Sequence, residues 1–388
     1  MNRKQLNQLL VINLLTMTTF NMAHPVTPKL INELQFPSYM FGVFFALMAV
    51  ANYVMSPIWG SLSDQKGRKR FLMIGVIGYG LSQVGFGLST TIFPILVFRL
   101  LGGTFSICYI TSALAYLTDL TDLTEPKDRI RYLSYHTATL SLGTSIGGLL
   151  GGYLGQTHYE YAFIAQGLFC GILLGVLALF LKEKRSVQPQ GGKLNIYLDH
   201  LKPKKNMFDM KSSIGIMILV MTFITIATTA YNSTINYYVE SVLNMPSTVN
   251  GLVMALAGII ALIMNIGIGP YLGKKYDEYK NIKCTTFLSG IFLILASVVT
   301  TPILSFIFIV GFIASSALVV PTQQSIVSKI AKENYGEVMG IQGSAKALGM
   351  VIGSLGSGFI FSLGSKLPFF CAGFMALLAY MVLKKLPR

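Results

Sequence analysis

Residues 60–72 read GSLSDQKGRKRFL, and they crowd Asp64, Lys66, Arg68, Lys69 and Arg70 between Gly60 and the phenylalanine at position 71. The stretch before it, FGVFFALMAVANYVMSPIW, carries no charge, and neither does FLMIGVIGYGLSQVGFGLS after it. Each flank is long enough to cross about 30 Å of hydrocarbon as helix. A charged, glycine-bearing hairpin between two such lengths marks the place where a chain leaves a bilayer and turns back. Gly60 and Gly67 permit close helix approach and a tight turn. Asp64 sits at the end of the upstream helix, with Arg68 four residues on and within its reach. Lys66, Lys69 and Arg70 suit an anionic inner leaflet.

The rest of the chain repeats this arrangement. Of 388 residues, 53% are hydrophobic and only 12% charged, with a mean hydropathy of +0.62; soluble domains are about one quarter charged. Twelve apolar spans are expected, near 8–30, 39–62, 70–89, 93–117, 131–155, 161–181, 213–238, 247–270, 283–300, 303–326, 337–362 and 367–384. The short alternating segments of a membrane barrel are absent from the sequence. The start, MNRKQLNQLLVINLL, resembles a signal peptide, but its apolar run continues into a proline-containing helix and is read as a retained first span.

The net charge of +15 raises the question of nucleic acid. With the N-terminus inside, nearly all of the 30 Lys and Arg fall on cytoplasmic segments. Only Lys29 and Lys366 fall outside, and Arg99 and Lys346 lie within spans. That asymmetry places both termini in the cytoplasm and needs no nucleic-acid partner. Cys108, Cys170, Cys284 and Cys371 all lie in spans without a CxxC, as small apolar fillers. No metal site or cofactor is expected. Nucleotide-binding and nucleophile motifs are absent, so the chain does not read as an enzyme.

The basic segment 183–212 divides the sequence into a first six-span bundle, 1–182, and a second, 213–388; within it NIYLDHL suits a short surface helix. The halves echo each other. LGTSIGGLLGG begins at Leu142 and LGMVIGSLGSG at Leu348, 206 residues later. Gly273 and Asp277 keep the Gly-x-x-x-Asp spacing of Gly60 and Asp64. Two six-helix repeats of one orientation are the plan of a class of transporters with a midplane site between the halves.

At this point the chain resembles the major facilitator superfamily, in its twelve-span drug:proton antiporter branch. GSLSDQKGRKR matches the family's Gly-x-Leu-x-Asp-x-x-Gly-Arg-Lys loop at every defined position. By that resemblance Gly60, Asp64, Gly67 and Arg68 form a conformational latch, a charge cluster linking the halves that breaks as the protein rocks inward. FRLLGG in the fourth span is similar to the family's Arg-x-x-x-Gly, whose arginine is associated with proton coupling; here it is Arg99. Arg99 either faces a pathway or snorkels outward, and the first is favoured because intramembrane charges usually line pathways. The fifth span resembles the antiporter Gly-x-x-x-Gly-Pro-x-x-Gly-Gly, with Gly148 standing where the motif has proline. Gly143, Gly147 and Gly151 form one stripe of this helix, and Gly148 and Gly152 a second, both suited to close packing. HPVTPKL is similar to the Pro-x-x-Pro close of the family's first helix.

None of the 15 acidic residues falls in the middle of an expected span. The membrane interior instead offers Arg99 and Lys346, with His24 and His136 near them in depth. These four are the candidates for proton coupling and cavity charge, with the end-of-helix acids Glu33 and Asp119 as alternative proton carriers. His24 equally suits hydrogen-bonded packing, and Lys346 could snorkel or meet a backbone carbonyl. Polar and aromatic candidates for the cavity wall are Asn21, Tyr109, Tyr231, Asn232, Asn236, Gln323 and Gln324. Such a cavity suits neutral, zwitterionic or anionic compounds. The expectation is a monomeric alternating-access transporter in a bacterial cytoplasmic membrane, exporting small organic molecules in exchange for protons. An importer or symporter of an anionic metabolite and a lipid flippase are the alternatives.

Overall fold

Hydrocarbon offers no hydrogen-bond partners, so an apolar chain must satisfy its own backbone, and helices do so within one segment. The computed structural model describes residues 3–121, 126–182, 212–299, 301–331 and 335–386, all helix and connecting turns. The expected linker 183–212, with NIYLDHL, lies outside the described residues except for its last position. The helices are α1 (Arg3–Asn21), α2 (Thr27–Glu33), α3 (Met40–Lys66), α4 (Arg68–Leu88), α5 (Ile92–Thr121), α6 (Pro126–Leu154) and α7 (Tyr159–Phe180). They continue as α8 (Ser213–Ser241), α9 (Ser247–Ile263), α10 (Gly269–Lys275), α11 (Glu278–Val298), α12 (Pro302–Ala331), α13 (Tyr335–Leu363) and α14 (Leu367–Leu383).

Among the described residues, 10 helices are long and apolar enough to cross a membrane, α1 and α2 counting together, as do α9 and α10. The glycine- and hydroxyl-rich α6 is not among them, nor is the short α14. Several helices outrun the apolar runs that announced them: α3 continues to Lys66 and α11 begins at Glu278. A helix extends into the headgroup region as long as its polar residues keep helical propensity.

Two expected spans are interrupted. The first breaks after Asn21, passes a short 3-10 turn at His24–Val26 and resumes at Thr27. Pro25 and Pro28 lack the N–H groups that would continue the ladder. The eighth passes through a π-turn at Met264–Ile268, just before Pro270, and continues as α10.

The described chain forms two compact units. One comprises Met1–Gln35, Leu47–Leu201 and Val239–Gly258; the other comprises Phe36–Ala46, Lys202–Tyr238 and Ile259–Arg388.

In the first unit, α6 uses its two glycine stripes for two different neighbours. A Cβ at Gly147 would overlap the Thr18 carbonyl oxygen, and one at Gly151 that of Met22, so this stripe lies against α1 and its break. A Cβ at Gly148 would sit 2.8 Å from Met254 Cβ, and one at Gly152 2.6 Å from Ser247 O, so that stripe lies against α9. Gly143 belongs to the first stripe, against Met17. Without a hydrophobic force between helices in lipid, such close backbone approach supplies much of the packing energy.

The second unit repeats the scheme with α13. A Cβ at Gly353 would lie 2.6 Å from Ile226 O on α8, and one at Gly358 3.2 Å from Gly42 Cα on α3. Gly353 follows Gly147, and Gly358 follows Gly152, by the 206 residues of the sequence repeat.

Candidate functional site

The hairpin at residues 60–72 turns at Gly67, whose φ of 102° is open to glycine and strained for other residues. That turn presents Arg68 at the start of α4. Its guanidinium pairs with Asp64 of α3, reaches Asp119 Oδ2 of α5 from Nε at 2.9 Å, and donates to Ser63 Oγ at 2.8 Å. Arg68 is 7% exposed, so its charge is held by two carboxylates on two helices. The sequence paired Arg68 with Asp64; Asp119, at the far end of a different span, completes the cluster.

A related arrangement stands in the second unit. Glu278, at the start of α11, accepts from Lys329 Nζ of α12 at 2.7 Å and from Ser325 Oγ at 2.7 Å. Glu278 follows Arg68, and Lys329 follows Asp119, by the same 210 residues. The carboxylate beside it holds the Lys329 ammonium above its ordinary range.

The break in the first span is the centre of a second polar cluster. Gln166 Nε2 of α7 donates to Thr19 O at 2.7 Å and Phe20 O at 3.1 Å, and the Tyr79 hydroxyl of α4 donates to Phe20 O at 2.8 Å. Neighbouring side chains thus satisfy carbonyls at the end of the interrupted ladder. Arg99 lies in this cluster and is 1% exposed, with its guanidinium 4.6 Å from the centre of the Phe86 ring. It turns toward α4 rather than outward. Asn21, partly buried, bonds back to Met17 O at 2.7 Å. Tyr109 is fully buried, edge-on to Phe20. His136 is buried on α6, where Thr139 Oγ1 donates to its carbonyl and accepts from Asn13 at 2.6 Å. Tyr79 and Gln166 were not singled out from sequence, although an amide such as Gln166 inside an apolar run is a usable signal.

A third cluster joins the end of α8 to the His24–Val26 turn and α9. Asn250 Nδ2 donates to Glu240 Oε2 and to Pro25 O, both at 3.1 Å, and Ser247 Oγ donates to Glu240 Oε2 at 3.1 Å. Lys29 caps the carbonyls of Gly155, Gln156 and Thr157 at 3.2, 2.8 and 2.7 Å.

In the second unit Tyr231, Asn236 and Gln323 are buried, Gln323 donating to Met217 O at 2.6 Å. Asn232, Gln324 and Lys346 are exposed. Lys346 lies on the α13 face of Gly343, where an added Cβ would meet nothing within 4 Å. The lipophilic stripe of Leu348, Ile352 and Phe359 lies roughly 200–240° around the helix from it. Among the described residues, no group of three His, Cys, Asp or Glu could hold a metal ion. Cys108 and Cys170 are buried, whereas Cys284 is exposed and so fills no core.

The sequence model of the Major Facilitator Superfamily matches residues 9–354. Multidrug resistance protein 1 of Bacillus subtilis (strain 168) is 23% identical over 348 residues, covering 90% of this chain and 87% of its own. A quinolone resistance protein of Staphylococcus aureus is 21% identical over 353 residues, with the same two coverages, 90% and 87%. Among solved structures, a nucleoside transporter superposes with a TM-score of 0.81 at 12% identity, covering 99% of this chain and 100% of that one.

Proposed function

This chain belongs to the Major Facilitator Superfamily, a family of multi-pass membrane transporters of small molecules rather than of enzymes, and from that premise we propose that it is a proton-coupled exporter of small organic molecules. Twelve spans in two six-helix bundles, 1–182 and 213–388, carry it across a bacterial cytoplasmic membrane with both termini inside. It works as a monomer, by alternating access.

The observation that carries the export reading is its likeness to multidrug and quinolone resistance proteins along nine tenths of its length. The Arg68 cluster supports a latch role for Asp64 and Arg68. The helix breaks at Asn21 and at Met264–Ile268 supply interruptions of the sort that transporters of this kind place along their pathways.

Proton coupling falls to the interior cluster of Arg99 and His24, with His136 beside the same helices. Lys346, Asn232 and Gln324 line the substrate path in the second unit, and the preferred substrates are neutral, zwitterionic or anionic. The direction of Lys346, opposite the lipophilic stripe of its own helix, favours the pathway over snorkelling.

Inverted membrane vesicles test the proposal. Acidifying the lumen should drive uptake of substrate, and a protonophore should abolish it. Uptake indifferent to the proton gradient would remove the coupling, and accumulation only in right-side-out vesicles would make the protein an importer.

A further inference from the structure

A groove of about 460 Å³ runs between the start of α4 and the latter half of α7, lined by Lys69, Arg70, Met73, Ile74, Ile77 and Leu174. We propose that it binds one anionic phospholipid, its phosphate at Lys69 and Arg70 and its upper acyl chain along Ile74, Ile77 and Leu174.

The order of side chains follows the order of groups in such a lipid. Arg70, Met73, Ile74 and Ile77 recur at i, i+3, i+4 and i+7, so the cation and the apolar residues share one helix face. The α7 side of the groove is formed by Leu174, and beside it a Cβ at Gly171 or Gly175 would meet nothing within 4 Å. Lys69 Nζ donates to Ala178 O at 2.7 Å, which fixes the ammonium over the rim. Arg70 is exposed beside it, and its planar fork matches a phosphate in two bonds. Lys66, in the same loop and equally charged, does not line the groove. General attraction of a basic loop to a membrane would use all three cations alike; a site uses only two.

The test is native mass spectrometry of the delipidated, detergent-purified transporter, titrated with phosphatidylglycerol or phosphatidylcholine of identical chains. Phosphatidylglycerol should be retained in preference. K69Q and R70Q should each lower its retention about fivefold, the effect of one cation near a lipid surface. I77S should lower it too, and K66Q should leave it near wild type. Excess inorganic phosphate should fail to displace the lipid, because the groove also holds the chain. Equal loss in K66Q and R70Q, equal retention of the two lipids, or full displacement by phosphate would each overturn the proposal. Arg70 is exposed, so R70Q decides the matter even where K69Q fails to fold.

Discussion

Arg68 Nε lies 2.9 Å from Asp119 Oδ2, joining the start of α4 to the end of α5 across 51 residues of sequence. Glu278 and Lys329 join α11 to α12 across the same 51 residues, at 2.7 Å, with the charges exchanged. The two pairs stand at corresponding ends of their helix hairpins with the signs of charge exchanged.

The first prediction concerns the two carboxylates on Arg68. Asp119 is the more enclosed, 22% exposed against 48% for Asp64. Asp119→Asn should weaken a hydrogen bond between charged groups at a buried arginine, about 1.5–3 kcal/mol, and lower the melting temperature. Asp64→Asn should leave insertion and melting near wild type, impair transport, and shift the ensemble toward the inward-facing state. Thermal melting and spin-label distances between the cytoplasmic ends of the halves check both. Unchanged distances with full transport in the Asp64 variant would sink the latch.

The exchanged pair makes a second prediction. Glu278→Lys should impair transport by placing two ammonium groups together, and Lys329→Glu should do the same with two carboxylates. The double exchange should restore most of the activity, since it rebuilds the pair in the sense found at Arg68 and Asp119. A double variant no better than the worse single one would show that the pair's geometry, or Ser325 beside it, matters more than its charges.

Glycine packing gives the third. Gly147→Leu drives a side chain into the Thr18 carbonyl of α1, whereas Gly175→Leu on α7 enters open space. Overpacking costs about 1–3 kcal/mol, and more where the obstacle is backbone. In the second unit Gly353→Leu should behave like Gly147→Leu, because Ile226 faces it, and Gly356→Leu should be benign. Expression and substrate uptake of the four variants check this; equal outcomes across each pair would break the assignment of close faces.

What the sequence disclosed follows from the range of the forces involved. Spans are legible because hydrocarbon sorts residues by polarity over twenty positions at a time. The hairpin at Gly67 is legible because its charges and glycines lie side by side. The fourfold glycine spacing signals close approach, yet it cannot say that Gly147 meets α1 while its neighbour Gly148 meets α9. Nor could it give Asp119 to Arg68, since nothing local records the register between two helix ends. The break near Asn21 is foreshadowed by Pro25 and Pro28. Its repair by Gln166 and Tyr79 depends on side chains from two other helices, and the exposure of Cys284 likewise depends on which face α11 turns outward.

The last prediction concerns selectivity. The acidic residues of the sequence keep to the ends of spans, and Lys346 stands on the α13 face opposite Leu348, Ile352 and Phe359. One unit charge about 6 Å from a substrate, at an effective dielectric near 20, is worth roughly 3 kcal/mol, enough to bias selection more than tenfold. Water in an open pathway screens part of that, so the expected outcome is a preference rather than exclusion. Wild-type protein should bind the anionic member of a matched dye pair more tightly than the cationic one. Lys346→Glu should reverse the order if the ammonium faces the substrate, and should leave both affinities unchanged if it snorkels to the interface. Lys346→Gln separates charge from shape: it should lower the preference without reversing it. Tighter binding of the cation by the wild type would falsify the charge argument, because screening by water weakens the repulsion of an ammonium for cations but does not reverse it.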